Sequence, residues 1–221
     1  MMRERPTTEW KEKIGAEIAR YTHRGDYRRA LPVARAALKR YPREAFCRFQ
    51  YAKILGDWAD ELPPARKKKL KREAIAILKP LLRSLAGEQP KTRFGICLNY
   101  YYQREDFPGM VRFGRRLAAR GDRQGHYAVG IGGGLEALRR KQSGKARATG
   151  WARTSLAAWK RYDLSREKYY FPHYIEAAAH AVLDRRAEGL RSLRRAARAS
   201  GRTIRDWEFA DVLSILNAKG D

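Results

Sequence analysis

His173, Glu176 and His180 stand at i, i+3 and i+7, which sets two imidazoles and a carboxylate on one helical face, a spacing that can hold a metal ion. No fourth ligand accompanies them. The three positions also fall on the inward face of their helix, so half-buried core histidines are the expected reading. The run 129–137, VGIGGGLEA, satisfies G-x-G-x-x-A through Gly132, Gly134 and Ala137 ahead of a helical pattern, as a dinucleotide-binding turn does. Its context is missing: no second strand follows a crossover helix, and Gly132 stands where a close helix crossing wants no side chain. Three consecutive glycines there should weaken or kink the helix. Cys47 and Cys97 lie far apart, each on an apolar helical face, and read as reduced core thiols rather than a disulfide or metal pair. No Ser/His/Asp or Cys/His grouping, phosphate loop or carboxylate pair stands out, so the expectation is a non-catalytic protein without cofactor or metal.

The charge points elsewhere. Of 221 residues, 49 are Lys or Arg against 24 Asp or Glu, a formal net charge of +25. Such a surface attracts polyanions: nucleic acid first, then an acidic protein segment or an anionic membrane surface. No window approaches the roughly 18 consecutive apolar residues of a membrane span. The first residues, MMRERPTTEWKEK, are charged where a secretory signal would be apolar, so the expected location is cytoplasmic. The acidic residues and the lack of any low-complexity run mark a folded chain rather than a basic tail.

The elements that must carry this charge are clearest in residues 24–44, RGDYRRALPVARAALKRYPRE. Gly25 ends one helix, Ala30, Ala34 and Ala37 line one face of the next at spacings of four and three, and Pro42 stops it. Ile14, Ile18 and Tyr21 supply the apolar face of the preceding helix. This pattern resembles the tetratricopeptide family, a helix-turn-helix repeat of 34 residues. Tyr21, Ala30 and Pro42 stand where that family has Tyr, Ala and Pro; Ile14, Glu17, Ile18 and Ala34 stand where it has Trp, Leu, Gly and Phe. The resemblance implies an all-α protein: an α-solenoid of about five such repeats with a C-terminal capping helix.

Carried along the chain, the period predicts a flexible arm over 1–8, with Thr7 or Thr8 capping a helix over 9–23, and a single domain over 9–217. Repeat two opens with a helix over 44–58 that carries Tyr51, Ala52 and Leu55, and its second helix is delayed by a surplus over 59–71 containing Pro63-Pro64. Repeat three follows Pro90, with Phe94, Leu98 and Tyr101 on one face, a turn over 104–106, and Met110, Phe113 and Leu117 on its second helix. Repeat four opens over 124–140 and has its own surplus over 141–149; repeat five spans 165–200. A capping helix over 203–217 carries Ile204, Trp207, Phe209, Val212, Leu213, Ile215 and Leu216, apolar on more than one side, which also suits a homodimer contact.

Aligning the repeats exposes a ladder. Five residues after Ala30, Ala74, Met110, Ser155 and Gly189 stand Arg35, Lys79, Arg115, Lys160 and Arg194, one cation per repeat at one place on each second helix. Lys39, Arg112, Arg116, Arg191, Arg195 and Arg198 flank it. The two surplus segments are basic as well, through Arg66, Lys67, Lys68, Lys69, Lys71 and Arg72 in one and Arg139, Arg140, Lys141, Lys145 and Arg147 in the other. These cations form either a polyanion track or a solvated face with flexible loops. The family resemblance further implies an inner groove lined by the first helices, here Phe46, Phe49, Lys53, Asn99, Tyr102, Gln103 and Tyr174, suited to an extended peptide or unstacked bases. Of the Lys, Asn and Arg with which some members clamp a C-terminal carboxylate, Asn99 alone falls in place. The expected function is a scaffold that binds nucleic acid within a larger assembly, or else an adaptor that grips an acidic or extended protein segment.

Overall fold

The structure, a computed structural model, describes residues 6–23, 25–204 and 209–217. These residues are all-α: eleven α-helices, two single 3₁₀ turns and no strand. Short-range chemistry sets most helix ends. Thr7 caps α1 (Thr8–Thr22) by accepting a hydrogen bond from the Trp10 amide. Gly25, at φ +70°, turns the chain into α2 (Tyr27–Arg40), whose first-turn Arg29 amide is capped by the Asp26 carboxylate. Pro64 and Pro90 occupy the first turns of α4 (Pro64–Leu81) and α5 (Pro90–Gln103), where a missing N–H costs nothing. The helix between them, α3, is Ala45–Ala59.

The chain divides into two compact units, Met1–Glu105 and Asp106–Asp221. In the first, consecutive helices pack on one another, and α1 also packs on α3, and α3 on α5. Ile18, Ala30, Ala34 and Ile54 join α1, α2 and α3. Phe49, Leu55, Ala74, Leu78, Leu81 and Ile96 join α3, α4 and α5.

The second unit contains α6 (Phe107–Ala118), α7 (Arg123–Gln142), α8 (Ala148–Tyr162), α9 (Tyr170–Val182), α10 (Arg186–Ser200) and α11 (Ala210–Asn217). Its central element is α7, which packs against α6, α8 and α9. The glycines make this contact possible on three sides. A Cβ on Gly132 would lie 3.0 Å from the Phe107 carbonyl of α6, one on Gly133 would lie 3.2 Å from the Trp151 carbonyl of α8, and one on Gly134 would overlap Ile175 of α9. The glycine run is therefore a packing device. Although each glycine weakens a helix by about 1 kcal/mol, α7 runs as one helix of 20 residues because its neighbours bury it. Phe209, Val212 and Leu216 close the unit over Ala178, Leu193 and Ala197 of α9 and α10.

Several sequence expectations are altered. Residues 59–71 are not a long loop: α3 ends at Ala59 and the basic run lies in the first half of α4. Residues 141–149 likewise contain the end of α7, a short turn and the start of α8. In both places the extra length extends helices rather than a connection. The last helix begins at Ala210, and residues 201–204 are not helical. Leu213 and Ile215, two of the residues expected to make this helix apolar on more than one side, pack partly buried against the same core as Val212. Arg24, Trp207 and the first five residues of the expected arm lie outside the described residues. The third expected pair is split, since α5 ends one unit and α6 opens the next.

Candidate nucleic-acid interface

Positive charge is sorted by helix. The even-numbered helices α2, α4, α6, α8 and α10 carry five, seven, three, three and five Lys or Arg, 23 in all, against two acidic residues, Glu73 and Glu188. The six odd-numbered helices together carry 11 Lys or Arg and seven acidic residues. Packing explains the division. Odd-numbered helices contact their neighbours and also the next odd-numbered helix of the same unit, which beyond the terminal α1 leaves less solvent face for a charge. In α9, packed against α7, α8, α10 and α11, there is no Lys or Arg at all. The even-numbered helices keep an open side, and the cations occupy it.

The ladder lies on that side. Ala30, Ala74, Met110 and Ser155 are wholly buried and Gly189 is buried, whereas Arg35, Lys79, Arg115, Lys160 and Arg194 are all exposed. Five residues correspond to about 500° of helix rotation, about 140° away from the starting side chain, so a buried residue dictates an exposed one five places on. Among the described residues, the ion pairs of even-numbered helices involve Arg29, Lys67, Lys71 and Arg195, and none of the five ladder cations has one.

The two basic segments behave differently. On α4, Arg66, Lys68, Lys69 and Arg72 are exposed, but Lys67 and Lys71 each reach Asp60 at 3.0 Å, and Lys71 also reaches Glu105 at 3.0 Å. Burial works against the charge on Lys71, yet the Asp60 and Glu105 carboxylates outweigh it and hold the ammonium above the ordinary lysine range. These two lysines are thus committed within the protein. At the end of α7, Arg139 and Arg140 bind the wholly buried carboxylate of Glu136 at 2.5 and 2.6 Å, and Arg140 also donates to the Ala146 carbonyl. Both arginines therefore anchor the α7–α8 corner, while Lys141, Lys145 and Arg147 remain exposed. Glu136 escaped the sequence reading; its signal was a lone acid in a glycine-rich apolar run, three and four residues before two arginines.

The expected groove residues are mostly engaged. Gln103 is 2% exposed and lies against Gly56, and Phe49 is buried over Gly95. The Asn99 amide donates to the Gly95 carbonyl, Lys53 pairs with Asp57 at 2.6 Å, and the Tyr102 hydroxyl donates to Asp60. Phe46 is half-buried and touches Gly15. Tyr174, in the other unit, tilts against Phe209 in the core, and burial pushes its hydroxyl pKa far up. Phe49 and Gln103, expected to face outward on odd-numbered helices, are covered by neighbours, so sequence position alone misassigned these two.

His173, Glu176 and His180 share a helical face, but His173 and Glu176 are turned to different partners. The His173 Nε2 lies 3.2 Å from the Glu167 carbonyl, while Glu176 accepts hydrogen bonds from Ser192 and Arg195. Among the described residues no three His, Cys, Asp or Glu side chains are placed to hold a metal. Cys47 is buried, which pushes its thiol up to about 12, and neither Cys47 nor Cys97 is in a disulfide. Among the described residues no helix is long and apolar enough to cross a membrane. Compared with known proteins, the chain matches no family model, no curated protein and no solved structure.

Proposed function

We propose that this chain is a non-catalytic helical-repeat scaffold, similar in plan to tetratricopeptide proteins, whose even-numbered helices present cations to the phosphate backbone of nucleic acid within a larger assembly. The observation that carries this reading is the sorting of charge: 23 cations against two acids on the even-numbered helices, with one exposed cation at the same register on each. Charge scattered only for solubility would not follow helix parity. The repeat plan is supported by the packing of each odd-numbered helix on the next within a unit and by the common burial of the aligned small residues. The contacts made by Gln103, Phe49 and Lys53 leave the groove reading less support than the basic face.

The test is nucleic-acid binding across a salt series. Each phosphate contact contributes a slope of about −0.7 on single strands or −0.9 on duplex DNA in a log-log plot of affinity against salt. Replacing Arg35, Lys79, Arg115, Lys160 and Arg194 by Glu should weaken binding and flatten the slope by as much as about 3 to 4 on a single strand. The control replaces five exposed cations that lie off the even-numbered helices, Lys13, Arg43, Lys91, Arg93 and Lys168. Equal losses in both variants refute a defined face. Retention of an acidic polypeptide with no affinity for nucleic acid transfers the face to a protein partner.

A further inference from the structure

Among the described residues Tyr169 is the one large apolar side chain that is exposed, at 55%. It stands immediately before α9, in the connection that leaves α8 at Tyr162 and passes through the 3₁₀ turn Leu164–Arg166. Hydrogen bonds pin that connection at both ends. The Arg123 guanidinium lies 4.6 Å from the Tyr162 ring centroid, and its Nε donates to the Tyr162 carbonyl at 2.9 Å. The Tyr162 hydroxyl donates to Glu167 at 3.3 Å, and the other carboxylate oxygen of Glu167 accepts from the Tyr169 amide at 3.1 Å. The Glu167 carbonyl in turn lies 3.2 Å from Nε2 of His173 in α9. The backbone that carries the Tyr169 ring is therefore held in place before anything binds to it.

Exposed cations flank this ring along the chain: Lys160 and Arg161 in the last turn of α8, the first of them a ladder residue, and Lys168 next to Tyr169. The two acids of the connection already accept hydrogen bonds, Glu167 as described and Asp163 from the Ser165 amide at 3.1 Å. Cations alone recognise any phosphate backbone, single or double, whereas an exposed aromatic offers a face on which an unstacked base can lie. In a duplex every base is already covered by its neighbours, so an aromatic beside cations favours single strands. Of the aromatics that the sequence suggested for unstacked bases, Phe49 is buried and Tyr174 packs on the core around Phe209, which leaves that role to Tyr169.

Building on the nucleic-acid reading of the basic face, we propose that the bound nucleic acid is single-stranded, with one base stacked on the Tyr169 ring and neighbouring phosphates on Lys160, Arg161 and Lys168. Stacking adds affinity without a charge. Tyr169 should therefore change the strength of binding and leave its salt dependence alone, the reverse of the ladder cations.

The test measures fluorescence anisotropy of labelled oligodeoxythymidylate, oligouridylate, a strand of the same length whose nucleotides carry no base, and a duplex, each titrated with the full chain across a salt series. Tyr169→Ala should weaken both base-bearing strands about 5- to 150-fold, the tighter of the two naming the sugar. Affinity for the abasic strand and the duplex, and every salt slope, should stay as in the parent. Tyr169→Phe keeps the ring and should bind as the parent does. A Tyr169→Ala variant that holds base-bearing strands as tightly as the parent overturns the proposal, and so does an equal loss on the abasic strand. If the ladder substitutions weaken binding while Tyr169→Ala does not, this inference alone falls. A parent that holds polyglutamate but none of the strands overturns the nucleic-acid reading together with it.

Discussion

Arg139 and Arg140 look like phosphate ligands in the sequence, yet removing them should act on folding. Their shared partner, the Glu136 side chain, is 0% exposed, whereas the two arginine side chains are 49% and 28% exposed. In the double variant Arg139→Gln/Arg140→Gln, Glu136 stays in the core of α7 without a counter-charge. Stranding a buried charge in this way costs about 3–5 kcal/mol. For a chain of this size 1 kcal/mol corresponds to about 2–4 °C of melting temperature, so the expected drop is roughly 6–20 °C. The reverse perturbation is gentler. Glu136→Gln leaves two half-solvated guanidinium groups that can turn to water, at a cost of about 1–2 kcal/mol. Adding Glu136→Gln to the double variant should then recover part of its loss, a coupling that thermal unfolding followed by far-UV circular dichroism measures directly. The reasoning fails if the double variant lies within about 1 kcal/mol of the parent, as for a surface pair, or if Glu136→Gln is the more damaging change. Binding tests at this corner should accordingly use Lys141, Lys145 and Arg147.

Glycine substitutions divide by what surrounds them. A Cβ on Gly125 would lie 2.3 Å from the Ala118 backbone nitrogen, so Gly125→Ala should push α6 from α7 and destabilise by about 1–3 kcal/mol in urea unfolding. Gly150 in α8 has open space around it, so Gly150→Ala should instead stabilise by about 0.4–1 kcal/mol. Burial lowers the pKa of His180 below its ordinary 6.5, helped by Arg185 and Arg191 and opposed by Glu176 and Glu188. The unfolded chain therefore binds the proton first: stability should be full above about pH 6.5, fall as pH drops from there to the folded pKa, and level off below. Denaturant titrations of the parent and His180→Gln should show this part of the pH dependence vanish in the variant; a parent that gains stability on acidification across that window contradicts the assignment. With its thiol pushed up to about 12, Cys47 should resist thiol reagents at neutral pH until the chain unfolds, which mass spectrometry of timed labelling resolves.

Much of the local organisation could be read from the chain itself. Thr7, Asp26, Pro64 and Pro90 set helix starts through their own hydrogen bonds or missing N–H groups, and the phase between Ala30, Ala74, Met110, Ser155 and Gly189 and their exposed cations follows from helix geometry alone. These features depend on neighbours within a few residues, so one sequence contains them. Whether a side chain five or seven places along meets water depends on how many other helices cover it. That is why Phe49 and Gln103 vanished into the core and why α7 accommodates its glycines without breaking. The same holds for Glu136, whose spacing to Arg139 and Arg140 is local but whose burial comes from the packing of α7 among α6, α8 and α9. Periodicity is written in the chain; burial, and with it the strength of every charge and hydrogen bond, is decided by what packs on top.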